Sequence, residues 1–528
     1  MAAMMTMPIW YALPSRAETA TAPATPMTVA ESSDFTATAT HDQVMTMCRE
    51  LAQSPRVRLT SLGTSHEGRD LPLLILSQDG VTKPADLTDD ARLVVFAMGN
   101  IHAGEVCGKE ALLMLAREMT QGEIGPLEEL VVLFAPIYNA DGNERFAIDN
   151  RGNQVGPEKG MGQRPNAQGL DLNRDNIKHE SPAAIALAKL ISDWKPAVCI
   201  DLHTTNGSHH RYTITYDGPR HPATPGKIAD FARDTFLPAV GRELAKSDYR
   251  SFFYGNFNKA HDQWDTYPDL PRYCTHYFGF RGTIGVLSEA YAYASYKDRV
   301  LATRDFVRSC LATTVNRQEA IRRTLQEALD ADMAATEFAI QSIAVPYREF
   351  DVLGYVEEEQ GGKNIATAQE KTYRLVYHGL QRPTKTVKRP FAYLVPAGFE
   401  QVVENLTSHN IRLSQLTVAT ELAVETYRIT DAEMAEQEFQ GHRTISVRST
   451  ASTITKQTYP AGTRLVRTHQ PMLGGLIVNL LEPAATDGLC AWNFFDGQIT
   501  QNGHMIKEAQ FPIPRILNDV SEKLIDLP

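Results

Sequence analysis

The chain has 528 residues, more than one hydrophobic core usually organises, so two domains are expected. Its 52 basic and 63 acidic residues leave a net charge of −11 with no concentrated basic stripe, which argues against nucleic acid as the principal partner. The 43% apolar and 22% charged fractions are those of an ordinary globular protein, and no apolar run of about 18 residues is present to span a bilayer as a helix.

Residues 1–40 read as a tail or a signal segment. Residues 2–13 are mostly apolar and of signal-peptide length, with small residues following at Ala17 and Ala20, yet a basic leader is lacking and Pro8 interrupts the run. This reading leans towards export to the periplasm or exterior, with the cytoplasm as the alternative. Residues 17–40 are rich in Ala, Thr, Pro and Ser, a composition that also suits a disordered tail.

From residue 41 to about 335 apolar runs alternate with helical patterns. Residues 93–98 (LVVFAM) read as a buried strand, and 105–119 as a helix with apolar residues at helical spacing. Residues 130–137 (LVVLFAPI) are a second strand, 183–194 a helix that ends before Pro196, 197–202 (AVCIDL) a third strand and 283–287 (TIGVL) a fourth. A long helical stretch follows over 300–337. Alternation of this kind predicts an α/β domain with a mixed, mostly parallel sheet, and the continuous apolar runs predict helices on both faces.

Chemistry-bearing residues sit just past the ends of these predicted strands, the edge where open α/β sheets bind ligands. After 93–98 comes Asn100-Ile101-His102-Ala103-Gly104-Glu105. A His and a Glu three residues apart can aim an imidazole nitrogen and a carboxylate at one point, as a zinc ion requires. Asp201-Leu202-His203-Thr204-Thr205 ends the third strand, and His203 completes three protein ligands with one position left for water. Asp201 is placed to orient a ligand from behind. His209 and His210 read as loop residues. In Asp171-Leu172-Asn173-Arg174 a guanidinium can form two parallel bonds to a substrate carboxylate. Glu289 ends the fourth strand at a partly desolvated mouth, where a carboxylate can accept a proton from water. The six cysteines form no CxxC pair and read mostly as small buried residues.

Beyond residue 340 the texture changes to half-buried strand patterns at 391–395, 421–429, 444–447 and 463–467. One amphipathic helix interrupts them, with Phe399, Val402, Val403 and Leu406 on one face. Residues 357–363 read as a turn, and their GGK lacks the spacing of a phosphate loop. Residues 340–528 are therefore expected to form a β-rich accessory domain, packed on the first or covering part of its cleft.

The ordered set His102–Glu105, Asn139-Ala140-Asp141-Gly142, Asp171 to Arg174, His203 and Glu289 resembles the M14 zinc carboxypeptidases. Ser65-His66-Glu67-Gly68-Arg69 followed by the apolar run 71–76 is also similar to that family, and the resemblance covers roughly 41–310. It implies a zinc peptidase catalytic domain over 41–335 with one Zn2+ per chain held by His102, Glu105 and His203. It implies Glu289 as general base and then acid, and Asn173 and Arg174 as holders of a peptide's free C-terminal carboxylate. An arginine upstream of Asp171 would polarise the scissile carbonyl; Arg164 is the candidate, with Arg145 and Arg151 as rivals. A lid tyrosine is expected from Tyr267, Tyr273 or Tyr277. Two alternatives stay open. Asp201 to Thr205 also matches the DLHTT-like stretch of aspartoacylase-like N-acyl amino-acid deacylases, and a non-catalytic binding protein can keep the same fold. Side-chain specificity, exo or endo cleavage and oligomeric state are not set by these residues.

Overall fold

The computed structural model describes residues 26–88, 90–122, 125–205, 207–360 and 363–527. The apolar segment 2–13 lies outside the described residues. No helix among them is long and apolar enough to cross a membrane.

Eight strands build a central mixed sheet. In chain order they are β1 (Val57–Thr64), β2 (Asp70–Leu76), β3 (Leu93–Gly99), β4 (Leu130–Ala135), β5 (Val198–Thr205), β6 (Ile214–Asp217), β7 (Ser251–Phe253) and β8 (Ile284–Tyr291). Across the sheet they run β1-β2-β4-β3-β5-β8-β6-β7. Parallel pairing joins β4, β3, β5 and β8 at the centre. Antiparallel β2 and β1 continue one side and antiparallel β6 the other. Every residue of β3, β4 and β5 is buried, as expected of strands covered on both faces.

Four helices serve the central strands. α1 (Cys107–Thr120) follows β3, α2 (Pro182–Trp194) precedes β5, α3 (Cys274–Phe280) precedes β8 and α4 (Tyr296–Asn316) follows it. The ends of α2 are written in its sequence. The Ser181 side chain caps Ala184, Pro182 opens the helix, and Lys195 turns left-handed before Pro196. Residues 26–40 pack on α1: the Glu110 carboxylate accepts from the Ala39 N–H and the Thr38 hydroxyl, both at 2.8 Å.

From Glu337 onward the chain is β-rich. A ribbon of Arg348–Gln360 and Lys363–His378 pairs along its length, and its second strand continues in parallel onto Gln263–Asp265 of the first region. A second ribbon, Thr420–Met434 with Ile445–Tyr459, belongs to a sheet that includes Ala392–Val395, Arg464–Arg467 and Ser414–Leu416. Helix Glu400–Ser408 buries Val402 and Leu406, the face its periodicity marks. One hydrophobic core runs through both regions; a smaller one lies within the C-terminal sheet around Leu394, Val424 and Leu465.

Some elements differ from expectation. The helix after β3 begins at Cys107 rather than 105, because 102–105 close a turn in which the Glu105 N–H donates to the His102 carbonyl at 2.9 Å. The stretch 300–337 is two helices broken at Arg317, and a strand starts at Glu337. Residues 357–360 are strand rather than turn, because the ribbon pairs almost to its tip.

Candidate active site

The loop after β3 is shaped by close backbone approach. A Cβ on Gly99 would stand 2.8 Å from the backbone of Gly108, so the strand end and the helix start touch only because glycine is there. Asn100 adopts a left-handed φ of 67°, which asparagine tolerates better than most residues, and its side-chain amide donates to the Ala103 carbonyl at 3.0 Å. This tight loop presents His102 and Glu105 side by side, both buried.

β5 lies beside β3, and the alternation of a strand puts Asp201 and His203 on one face. The His203 Nδ1 lies 2.9 Å from Glu105 Oε2 and 3.2 Å from His102 Nδ1; Glu105 Oε1 lies 3.0 Å from His102 Nδ1. Each ring carries a carboxylate on its other nitrogen: Asp171 Oδ1 at 3.0 Å from His102 Nε2, and Asp201 Oδ2 at 2.7 Å from His203 Nε2. Such partners place the N–H on Nε2 and leave the Nδ1 lone pair for a cation. Two lone pairs facing each other beside a carboxylate fit a metal ion, and the nitrogen and oxygen donors suit zinc. The ligand atoms of His102, Glu105 and His203 all lie within 4.8 Å of one another.

Asp171 opens a short turn, Leu172–Arg174, by accepting the Asn173 N–H at 2.9 Å. The turn sets Asn173 beside His203, with its Oδ1 accepting the Cys274 N–H at 2.8 Å. The Arg174 guanidinium lies 4.2 Å from the Tyr273 ring centroid. Arg164 is held by Asp171 Oδ2 through Nε at 2.9 Å and Nη2 at 2.7 Å, and its Nη1 reaches 3.2 Å from His102 Nδ1. Its side chain keeps 42% of its surface exposed.

Glu289 stands on β8, where it pairs with His203 of β5. Its Oε2 is shielded from solvent without a hydrogen-bond partner among the described residues. Burial lifts this carboxyl to about 8; His203 opposes the rise and Glu105 reinforces it. A cavity of about 460 Å³ gathers His102, Glu105, His203, Arg164, Asn173, Arg174 and Glu289 on its wall. The structure thus brings together all seven residues singled out by sequence.

The rivals separate. Arg145 pairs with Glu67 and does not line the cavity. Arg151 lines it, but its guanidinium is committed to Glu105 at 2.7 Å and the Thr204 carbonyl at 2.7 Å. Tyr277 is buried away from the cavity, bonded to His409 and Arg281, while Tyr267 and Tyr273 line the wall. Tyr254 lines it too and was not singled out by sequence. His210 lies in the connection between β5 and β6, outside the His102–Glu105–His203 set, and is buried beside Tyr291. The Asp171 contact to His102 also escaped sequence reasoning, since nothing in DLNR tells which way its first carboxylate points. All six cysteines are free and buried.

Residues 44–235 match the family model described as zinc carboxypeptidase. The chain is 23% identical over 436 residues to a probable carboxypeptidase 2 of Trichophyton verrucosum, covering 77% of each chain. It is 30% identical over 198 residues to human carboxypeptidase D, covering 32% of this chain and 14% of that one. Among solved structures, a putative carboxypeptidase A from Shewanella denitrificans gives a TM-score of 0.40 at 16% identity, over 53% of this chain and 69% of that one.

Proposed function

We infer that this chain, a zinc carboxypeptidase-like protein of the M14 type, hydrolyses peptides by releasing residues from a free C-terminus. The observation that carries the reading is the meeting of a His-Glu-His set, the Asn173–Arg174 pair and Glu289, whose Oε2 lacks a hydrogen-bond partner among the described residues, on one cavity wall. We assign one zinc ion per chain to His102, Glu105 and His203. Bound there, zinc would polarise the scissile carbonyl and lower the pKa of a water.

The chain's own residues do the rest. Arg174 and Asn173 take the substrate's terminal carboxylate, so the last peptide bond is the one presented. Glu289 accepts the proton of the attacking water and then delivers it to the leaving amine, a task for a carboxylate on the cavity wall with an oxygen free of other partners among the described residues. Arg164, steadied by Asp171, donates to the oxygen that becomes negative. We assign residues 41–335 to the catalytic domain and 340–528 to an accessory one.

The deacylase reading left open by Asp201 to Thr205 is not favoured, since the relatives are carboxypeptidases. Elemental analysis together with mass-spectrometric turnover of a C-terminally varied peptide library tests the proposal, with Glu289→Gln as the control. One zinc per chain and single residues released by wild type, with release lost in Glu289→Gln, is the expected result. Protein that takes up no zinc on reconstitution would sink it. Zinc uptake with turnover only of small acyl-amino acids would move the function to that substrate class.

A further inference from the structure

The β-rich C-terminal region touches the catalytic constellation from behind. Its point of contact is Gln440, whose side-chain oxygen accepts the Asp171 N–H at 2.7 Å across 269 positions of sequence. Asp171 is the joint on which the site turns. One carboxylate oxygen takes His102 Nε2 and the Asn173 N–H, and the other takes Arg164. Its backbone begins the turn that carries Asn173 and Arg174. A shift of this backbone would therefore move a metal-ligand candidate, the oxyanion arginine and the carboxylate-binding pair together.

The segment that delivers Gln440 is built to hold it still. Phe439 and His442 exchange backbone hydrogen bonds in both directions, at 2.8 and 3.1 Å. Between them Gln440 and Gly441 both have positive φ, 54° and 76°, the geometry of a tight two-residue hairpin turn. A glutamine is strained there, where Asn or Gly is usual. Anchors flank it on both sides. His442 Nε2 lies 2.7 Å from Glu180 Oε1, and His442 Nδ1 lies 3.1 Å from Asn493 Oδ1. The Phe439 ring stacks on Trp492 at 6.2 Å, and the Arg272 guanidinium lies 5.5 Å from the Phe439 centroid. Strain at a residue whose side chain ends on an active-site joint is a pattern of functional positions rather than of ordinary turns.

We propose that Gln440 is a positioning residue of the active site: its amide oxygen fixes the Asp171 backbone and thereby the aim of His102 and Arg164. This rests on the metallopeptidase reading and assigns the C-terminal region a part in it. Without the acceptor, the Asp171 N–H loses its partner in a buried setting and the turn is free to shift. Zinc retention then falls before the fold does, because His102 loses its orientation.

The test uses the full chain as wild type, Gln440→Gly and Gln440→Glu. Glycine relaxes the strained turn, so a merely structural role for the side chain predicts equal or better behaviour from that variant. Glutamate keeps an acceptor at the same reach. Zinc affinity is read by competition with a chelator, alongside the thermal midpoint and peptide turnover. Partners behind a metal ligand typically govern about 10- to 100-fold in affinity, and one step further back about 3- to 10-fold is expected. Gln440→Gly should thus give up zinc at about 3- to 10-fold lower chelator, with its thermal midpoint held, while Gln440→Glu follows wild type. Coincident release curves for wild type and Gln440→Gly would overturn the proposal, even where wild type trims peptides. The glycine variant losing zinc as stated while wild type trims no peptide would leave the positioning role standing and remove the carboxypeptidase one. Wild type without zinc affinity would overturn both.

Discussion

Asp171 performs several tasks with a single carboxylate, and Arg164 depends on it most directly. Removing an oxyanion donor typically costs about 100- to 1,000-fold in rate. Arg164→Ala is therefore expected to lower kcat by that factor, with KM for peptides bearing a free C-terminus changed far less; steady-state kinetics on one such peptide decides this. An equal loss in Arg151→Ala with none in Arg164→Ala would transfer the role. At this scale the sequence was legible where a polar residue ended an apolar run, as with His102, His203 and Glu289. It was not legible where a side chain's partner comes from elsewhere in the fold. The Arg151 bond to Glu105 and the Gln440 bond to Asp171 join distant loops whose approach no local pattern encodes.

The loop between Gln263–Asp265 and α3 bears Tyr267 and Tyr273, and the C-terminal region grips it twice. Ser342 donates to Asp269 at 2.6 Å, and the buried Asp487 accepts from the Arg272 N–H at 2.8 Å and pairs with its guanidinium at 2.7 Å. Breaking a buried pair by removing one partner costs about 3–5 kcal/mol, because the other charge is left without its counterpart. Arg272→Met should lower stability by that amount in urea unfolding, and Arg272→Met combined with Asp487→Asn should recover part of it, since the amide removes the unpaired charge while an acceptor remains for the Trp492 and Arg272 N–H groups. Additive losses in the double variant would show that the pair is not what holds the loop. Elements were legible where the pattern was strong: β3 and β4 as unbroken apolar runs, α2 as a helix that ends before Pro196. The four residues of β6 and three of β7 are too short to carry a period; β6 owes its pairing to β8, and β7 owes its own to β6. The first long ribbon, Arg348–Gln360 with Lys363–His378, is absent from the strands its sequence predicts, and of the second only 421–429 and 444–447 are read as strand, because much of both ribbons is polar.

Across the whole molecule, the two regions meet over buried histidines that stay neutral. His409 of the C-terminal region lies 3.7 Å, ring to ring, from His179 of the first. It is bonded to the Tyr277 hydroxyl at 2.8 Å and to the Ile177 carbonyl at 3.2 Å. Burial, helped by Arg281, holds His409 down at about 3, and burial with His409 beside it holds His179 well below the usual range. In the unfolded chain both titrate near 6.5. Between about pH 6.5 and 3 the unfolded state therefore binds more protons. The stability these residues give is whole above pH 6.5 and drains away as pH falls, by about 1.4 kcal/mol per pH unit for each group inside its window. His409→Gln should shift the acid-unfolding midpoint to lower pH; an unmoved midpoint would show that these rings do not set it.

The junction also carries an optical gauge. Trp264 is wholly buried on the strand that receives the C-terminal ribbon, and Trp492 is buried beneath Arg272, Lys178 and His442. The chain has four tryptophans, so half of its indoles lie where the two regions meet. Intrinsic fluorescence therefore monitors that contact without any label. A red shift without loss of the far-ultraviolet circular dichroism signal would mark the regions parting while each keeps its secondary structure.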